Sequence, residues 1–251
     1  MDKSYETIYH QEEEFNWWFV SRRNAILKLL RNTPKSHSIL DIGCAGGPLL
    51  LDLQENNFTA CTGLDFSAEA VSKCKSRGLT AFQMDAHDLK FPSNHFNLLI
   101  ASDSLEHLEH DSRALSNWHD KLSPGGKLLV FVPAYQFLWS HHDEVNHHFR
   151  RYTKSELCSK LKAAGFEVNT SGYWNFMLFF PTFIFRIFSV LKNKIIPSKP
   201  KDQLSGLNPF LNKILIAWMK LENNIFTHLK FPFGVSVFAE ATKPAKPAIL
   251  K

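Results

Sequence analysis

The chain lacks the cysteine spacing of a zinc or disulfide framework. Its four cysteines, Cys44, Cys61, Cys74 and Cys158, form no CxxC pair, so neither arrangement organises the fold. It lacks a long run of like charge. Twenty-nine Lys and Arg oppose 24 Asp and Glu, and this net +5 is scattered. No nucleic-acid partner is expected from such a pattern; a mild positive balance suits an anionic acceptor or a membrane surface. It also lacks the roughly 20 uninterrupted apolar residues of a membrane span, because Pro181 and Arg186 break the most apolar stretch. The amino end is acidic and polar, unlike a signal peptide. With the cysteine usage, this predicts a cytoplasmic protein. No internal repeat is present. What is there is ordinary for a globular protein: 251 residues, 44% hydrophobic and 21% charged, enough for one domain with an elaboration.

From Ile39 to Pro133, short apolar runs alternate with helical patterns. Strands are predicted at Ser38 to Gly43, Thr59 to Asp65, Thr80 to Asp85, Phe96 to Ser102 and Lys127 to Pro133. Helices are predicted at Leu49 to Asn56, at Ser67 to Ser76 with Ser67 as N-cap, and at Asp111 to Leu122, stopping at the turn SPGG. This is an α/β pattern, a Rossmann-like mostly parallel sheet with helices on both faces. Right-handed crossovers bring the carboxyl ends of its strands to one edge, where ligands bind. Glu6 to Leu30 reads as helical, Thr153 to Ala164 as a helix, Phe166 onward as a strand and Val235 to Ala241 as a last strand. The expected organisation is a single domain over 1–251. It comprises an N-terminal helical cap (1–36), a donor-binding core (37–172 and 235–243) and a helical insertion before the last strand that covers the acceptor site (173–234).

The strongest local signal is LDIGCAGGP, residues 40–48. A strand runs into a glycine-rich turn and then a helix, with Pro48 at an early helical position. Glycines at 43, 46 and 47 allow a close backbone approach to a ligand. Asp65 ends the second strand, where an acid can accept from both ribose hydroxyls of an adenosine. Asp41 lies two residues before the turn. A carboxylate there sits poorly beside a pyrophosphate and well beside a cationic ligand carrying a sulfonium and an ammonium. Ala45 and Pro48 also stand where a GxGxxG motif would have its second and third glycines. An NAD-dependent oxidoreductase is therefore the weaker reading.

These residues resemble those of class I S-adenosylmethionine-dependent methyltransferases with a type 11 or 23 core. The matching pieces are LDIGCAGGP, TGLDFS, MDAHDLKFPSNHFNLLIASDSLEHL and LSPGGKLLVFVP, in order between Ser38 and Pro133. FNWWFVSRRNAIL, WSHHDEVNHHFRRYTKSEL and FPFGVSVFAEATK extend the resemblance outward. It implies S-adenosylmethionine as cofactor. Asp41 and the backbone of Gly43, Cys44, Ala45 and Gly47 would take the methionine end, with Arg22 reaching the donor carboxylate. Asp65 would bind the ribose, with Phe66 beside the adenine. Asp85 and Ala86 would meet the adenine edge, and Ser102 would line the donor pocket. Ala45 and Asn97 depart from the usual glycine and aspartate.

Methyl transfer is an in-line displacement at an activated methyl group, so positioning and at most one proton acceptor suffice. Candidate groups follow the fourth and fifth strands: His107, His148, Arg151 and Tyr152, with Arg150 as a further anion binder. One arginine of the pair is expected in a structural salt bridge. His141, His142, Asp143, His147 and His148 form a His-rich loop, but no metal is expected, because adjacent histidines on a short loop rarely converge. The predicted function is methyl transfer to oxygen on a small-molecule or glycoconjugate acceptor. The alternatives are a non-catalytic protein retaining the donor fold and the oxidoreductase. The Phe-rich stretch Phe176 to Leu191, followed by Lys192, Lys194, Lys199 and Lys201, raises a peripheral membrane contact as a further partner; a water-exposed acceptor-site cover or dimer surface is the competing expectation.

Overall fold

The computed structural model describes residues 12–184, 186 and 207–245. Helix α1 (Trp17–Leu29) precedes β1 (Ser38–Ile42), α2 (Pro48–Glu55), β2 (Ala60–Asp65), α3 (Ala68–Ser76) and β3 (Ala81–Gln83). Then come β4 (Phe96–Ser102), α4 (Asp111–Lys121), β5 (Leu122–Pro133), α5 (His141–Val145), α6 (Lys154–Ala163), β6 (Glu167–Trp174), α7 (Pro209–Phe226) and β7 (Ser236–Thr242). The seven strands order as β3-β2-β1-β4-β5-β7-β6. β7 runs antiparallel to both β5 and β6, and the other pairings are parallel. The α/β, Rossmann-like architecture expected from the sequence is thus the one observed.

Alternation along the strands sorts the core into two layers. Leu40, Ile42, Leu99, Ala101, Leu128 and Val130 pack with Leu115 and Trp118 of α4 and Leu157 and Leu161 of α6. Ile39, Leu98, Ile100, Leu129 and Phe131 face Ala25 and Ile26 of α1, Leu53 of α2, and Met219 and Phe226 of α7. Polar side chains pin α7 onto the N-terminal helix. Asn212 Oδ1 accepts from Trp17 N at 2.7 Å, and Asn223 Nδ2 donates to Ser21 O at 2.8 Å. Trp174 Nε1, at the end of β6, donates to Asn223 Oδ1 at 2.8 Å.

Local chemistry sets most element ends. Ser67 caps α3 by accepting from Ala70 N, and Thr153 and Glu156 close a capping box on α6. Four boundaries differ from expectation. The long N-terminal helix restarts at Asn16, whose side chain caps α1 by accepting from Trp18 N; the part before residue 12 lies outside the described residues. β3 is only Ala81–Gln83. β5 begins at Leu122, because SPGG bulges within the ladder between the Phe96–Leu122 and Leu98–Lys127 pairings. The His-rich loop contains α5, capped by Ser140 and Asp143 in a capping box. Of the Phe-rich stretch, Phe176 stacks on Phe231 and Phe179 lies against Tyr135, whereas Phe180 and Ile184 are exposed. Beyond Ile184 only Arg186 of that stretch is described, and the four lysines after it lie outside the described residues. No helix among the described residues is long and apolar enough to cross a membrane.

Candidate active site

The donor half is built on β1 and β2. Gly43 N and Cys44 N both donate to Leu64 O at 2.9 Å, which folds the turn back over the neighbouring strand. Gly43 has φ +76°, and a Cβ there would stand 2.5 Å from Ser104 Oγ; only glycine fits. Gly47, at φ +84°, ends the turn and places Pro48 at the start of α2. Asp65, at the carboxyl end of β2, is oriented by main-chain donors on both oxygens. Ala45 N reaches Oδ2 and Ser67 N reaches Oδ1, each at 2.9 Å. Phe66 beside it is exposed. Asp41 is buried at 3% exposure one strand over. Burial drives its pKa up to about 8, and the neighbouring Cys74, Asp65 and Glu13 push in the same direction. The residues preceding α1 reach this loop. Gly46 N donates to Glu13 Oε2 at 3.4 Å, and Glu14 pairs with Lys73 and Arg77.

Asp85 stands further along the same edge, where its Oδ1 accepts from His87 N at 2.8 Å. It lines a depression of about 530 Å³ with Gln83, Met84, His87, His110 and Arg113. The carbonyl of Ala86 is taken by Trp118 Nε1 at 2.8 Å.

The acceptor half follows β4 and β5. Asp103 leaves β4 at φ +53°, with its N–H on Phe131 O at 3.0 Å. Its carboxylate pairs with Arg22 Nη1 at 2.9 Å. Arg22 is 3% exposed and boxed by Trp18, Phe131 and Trp174, its guanidinium carbon 4.4 Å from the Trp174 ring centre. Nη2 donates to Ser236 Oγ at 2.9 Å, and Nη1 approaches Ser102 Oγ at 3.5 Å. The expectation that Arg22 serves the donor carboxylate therefore meets a side chain already committed to Asp103, because an aromatic box stabilises a guanidinium that carries its own counter-ion.

A 3₁₀ turn, Leu105–His107, comes next. Glu106 is fully buried, and no hydrogen bond from another described residue reaches either carboxylate oxygen. Burial, then the charge of Asp103, raise its pKa well above the ordinary range. The His107 and His148 rings meet edge to face at 4.5 Å. Burial, then His148, push the His107 pKa down to about 3. His148 Nδ1 lies 2.9 Å from Asp143 Oδ1.

Two of the expected acceptor-side groups are located differently. Arg151 is buried and gives Nε and Nη2 to the two oxygens of Asp143 at 2.8 and 3.0 Å, and Nη1 to Ala134 O at 3.2 Å. Burial opposes ionisation of Asp143, but His148 and Arg151 outweigh it and hold the carboxyl well below its usual range. Arg151 is thus the arginine of the structural salt bridge. Tyr152 is 2% exposed, and its hydroxyl donates to Asp111 Oδ2 at 2.9 Å. Burial, then Asp111, raise the phenol beyond any useful range. Tyr152 is a core residue that ties the loop after β5 to α4, which removes it from the acceptor-facing set. Arg150 pairs with the same Asp111 at 3.2 Å. The sequence alone gives no role to Asp103 or Asp111, whose partners lie on other elements, or to Glu106; it places Asp143 among the candidate bases and in the His-rich cluster, not in a salt bridge with Arg151.

A family model described as a methyltransferase domain matches residues 16–171. The chain belongs to the class I S-adenosylmethionine-dependent methyltransferases. The methyltransferase is 30% identical over 125 residues to trans-aconitate 2-methyltransferase of Deinococcus radiodurans, covering 49% of this chain and 46% of that protein. It is 28% identical over 134 residues to the Xenopus tropicalis tRNA (carboxymethyluridine(34)-5-O)-methyltransferase alkbh8, covering 52% of this chain and 20% of that one. The matches thus span less than half of either relative. Among solved structures, a chain from the complex of the Haloferax volcanii Trm112 methyltransferase activator with a methyltransferase superposes with a TM-score of 0.62 at 16% identity. That alignment covers 94% of this chain and 93% of the other, a likeness of fold.

Proposed function

We propose that this methyltransferase moves the methyl group of S-adenosylmethionine to an oxygen of a small-molecule or glycoconjugate acceptor. The observation that carries the donor reading is Asp41, a carboxylate buried beside the glycine turn whose ionisation is suppressed by burial and by the neighbouring acidic groups. A ligand bearing an ammonium and a sulfonium restores that charge; a pyrophosphate would be repelled by it. The turn from Gly43 to Gly47 takes the methionine end through its backbone, with Cys44 and Ala45 in the same turn. Asp65 accepts the ribose hydroxyls, and Phe66 flanks the adenine. Asp85 and Ala86 border its far edge, and Ser102 closes the donor pocket toward β4.

On the acceptor side, His148 supports proton removal. Asp143 on Nδ1 selects the Nδ1–H tautomer and leaves the Nε2 lone pair to accept a proton. The acceptor oxygen forms its bond to the methyl carbon as the sulfur–methyl bond breaks. The hydroxyl proton passes to Nε2, and S-adenosylhomocysteine leaves. His107, held uncharged beside His148, shapes this pocket. Residues 1–36 and 173–234 serve as its cover. A small acceptor is favoured over nucleic acid because the acceptor-half arginines Arg22, Arg150 and Arg151 are each engaged by an aspartate, which leaves them less free for phosphates. A cytoplasmic setting agrees with four free cysteines.

A peripheral membrane contact is supported by α7 rather than by the Phe-rich stretch alone. Phe210, Leu211, Ile214, Trp218, Leu221 and Ile225 are exposed along one side of it, with Lys213 and Lys220 on its flank. Flotation with anionic vesicles at low salt should carry the wild-type chain upward and leave Trp218→Glu behind; equal recovery of both in the soluble fraction refutes the contact. The enzymatic reading is tested by methyl incorporation from labelled donor into a cell extract, followed by mass identification of the product. Binding of S-adenosylhomocysteine without any methylated product would favour a non-catalytic donor-fold protein.

A further inference from the structure

Glu106 is the outlier of the whole edge. The aspartates of the acceptor half have named partners: half-buried Asp103 has Arg22, Asp111 has Lys160, Arg150 and Tyr152, and Asp143 has Arg151 and His148. Glu106 receives no hydrogen bond from any other described residue on either oxygen, at 0% exposure, and only its own main-chain N–H stands close as a donor. An isolated buried carboxylate is among the costliest groups a fold can hold, and it is retained only with a proton or a cation. Two imidazoles stand beside it. One ligand atom each from Glu106, His107 and His148 lie within 4.8 Å of one another.

We propose that Glu106, His107 and His148 form a binding site for one divalent first-row transition-metal ion. The proposal stands on this coordination geometry and does not depend on which acceptor is methylated.

The supports around the three side chains are those a metal site needs. A ligating histidine must hold its other ring nitrogen on a carboxylate or carbonyl, which fixes both tautomer and orientation. His148 does so through Nδ1 on Asp143 Oδ1 at 2.9 Å, and Asp143 is in turn locked by Arg151 at 2.8 and 3.0 Å. His107 is supported by a hydrogen bond to the Asn146 main chain. The two segments are stitched together by Phe149 N donating to Glu106 O at 2.9 Å. The chain therefore brings its ligands from two places, the 3₁₀ turn after β4 and the end of the His-rich loop, onto one point. Bonds of about 2.0–2.2 Å would place the ligand atoms roughly 3–3.5 Å apart. Closure around an ion thus requires side-chain movements of about 1 Å.

Two imidazoles and one carboxylate suit Zn²⁺, Mn²⁺, Fe²⁺ or Co²⁺, and not Mg²⁺ or Ca²⁺, which prefer all-oxygen shells. Three protein ligands leave room for an oxygen of the acceptor or a water. An ion there would acidify that oxygen; with the ion bound, His148 would serve as its ligand in place of the proton acceptor of the metal-free reading, and the proton would pass to water.

Equilibrium dialysis of the chelator-treated full chain against Zn²⁺ alone, with elemental analysis, tests the assignment. Co²⁺ in place of Zn²⁺ reports its ligands through its absorption spectrum. The expected result is one ion per chain, a Co²⁺ spectrum of a mixed nitrogen and oxygen shell, and a loss of affinity of tenfold or more in both His148→Ala and Glu106→Gln. Circular dichroism verifies that each variant folds; where Glu106→Gln does not, His107→Gln decides in its place. Absence of saturable binding, or equal affinity in wild type and folded variants, overturns the site and leaves Glu106 as a protonated buried acid. Neither result bears on donor binding, which titration with S-adenosylhomocysteine reads separately.

Discussion

The two halves of the carboxyl edge handle negative charge in opposite ways. Around the glycine turn, Asp65 is held by the main-chain N–H groups of Ala45 and Ser67, and Asp41 is buried and loath to ionise. Beyond β4, Asp103, Asp111 and Asp143 sit against Arg22, Arg150 and Arg151. The first arrangement leaves charge for a ligand to complete. The second completes it within the chain and so gives rigidity. An aspartate near a ligand edge therefore says little until its counter-charge is found.

The contrast is broken most severely at Arg151. Removing one partner of a buried ion pair strands the other and costs about 3–5 kcal/mol. Arg151→Ala should lower the thermal midpoint sharply and lose activity only through unfolding. A variant with wild-type stability and abolished turnover would restore Arg151 to the acceptor-facing set.

The donor half responds through affinity instead. Charge-assisted hydrogen bonds are worth about 1.5–3 kcal/mol each, so Asp65→Ala should weaken S-adenosylhomocysteine by at least about 2 kcal/mol, roughly 30-fold. Calorimetry reads this directly. Unchanged affinity would remove the ribose assignment, and NADH binding tighter than the thioether would point to the oxidoreductase.

This difference also explains what the sequence could show. Gly43, Pro48, Asp41 and Asp65 lie within one strand–turn–helix and the next strand, so local spacing exposes their relation, and the sheet follows from the alternation that contains them. Tyr152 and Asp111 are 41 residues apart, and Arg22 and Asp103 lie on separate elements. No local pattern says that such groups neutralise each other rather than a substrate. Arg151 looks like a free anion binder in one dimension because Asp143, eight residues before it, reaches it only once α5 turns the chain. The bulged start of β5 was hidden for a similar reason: SPGG has the composition of a turn, and its pairing with Phe96 is a tertiary event.

Asp41 sharpens the comparison through pH. Its pKa rises from the model-peptide range to about 8 on folding. Between roughly pH 4 and 8 the native state therefore binds one more proton than the unfolded chain. The stability of the ligand-free protein should fall as pH rises through that window. Donor binding should show the reverse trend. An ammonium beside Asp41 favours the carboxylate, so binding expels a proton, and affinity should climb by up to about tenfold per unit toward pH 8. Asp41→Asn should flatten both slopes. A wild-type affinity independent of pH between 6 and 8 would separate Asp41 from the donor's cationic end.

The smallest expected effect is at Ala45, within the same turn. Its φ is +48°, a conformation that costs an L-residue about 1–2 kcal/mol relative to glycine. The turn nonetheless holds it there, because Ala45 N must point at Asp65 Oδ2. Ala45→Gly relieves that strain, but it also frees the unfolded chain, which costs about 0.5–1 kcal/mol. The net stabilisation should be at most about 1.5 kcal/mol, readable as a higher urea midpoint at unchanged slope. Donor affinity should hold within a few-fold, since the N–H that orients Asp65 is retained. Gly43→Ala is the matched opposite, because its new Cβ would stand 2.5 Å from Ser104 Oγ at φ +76°. Both stability and donor affinity should fall there. If Ala45→Gly instead lowers the midpoint, the methyl group of Ala45 contributes more by packing than its backbone loses by strain, and the turn is rigid because of its side chains rather than despite them.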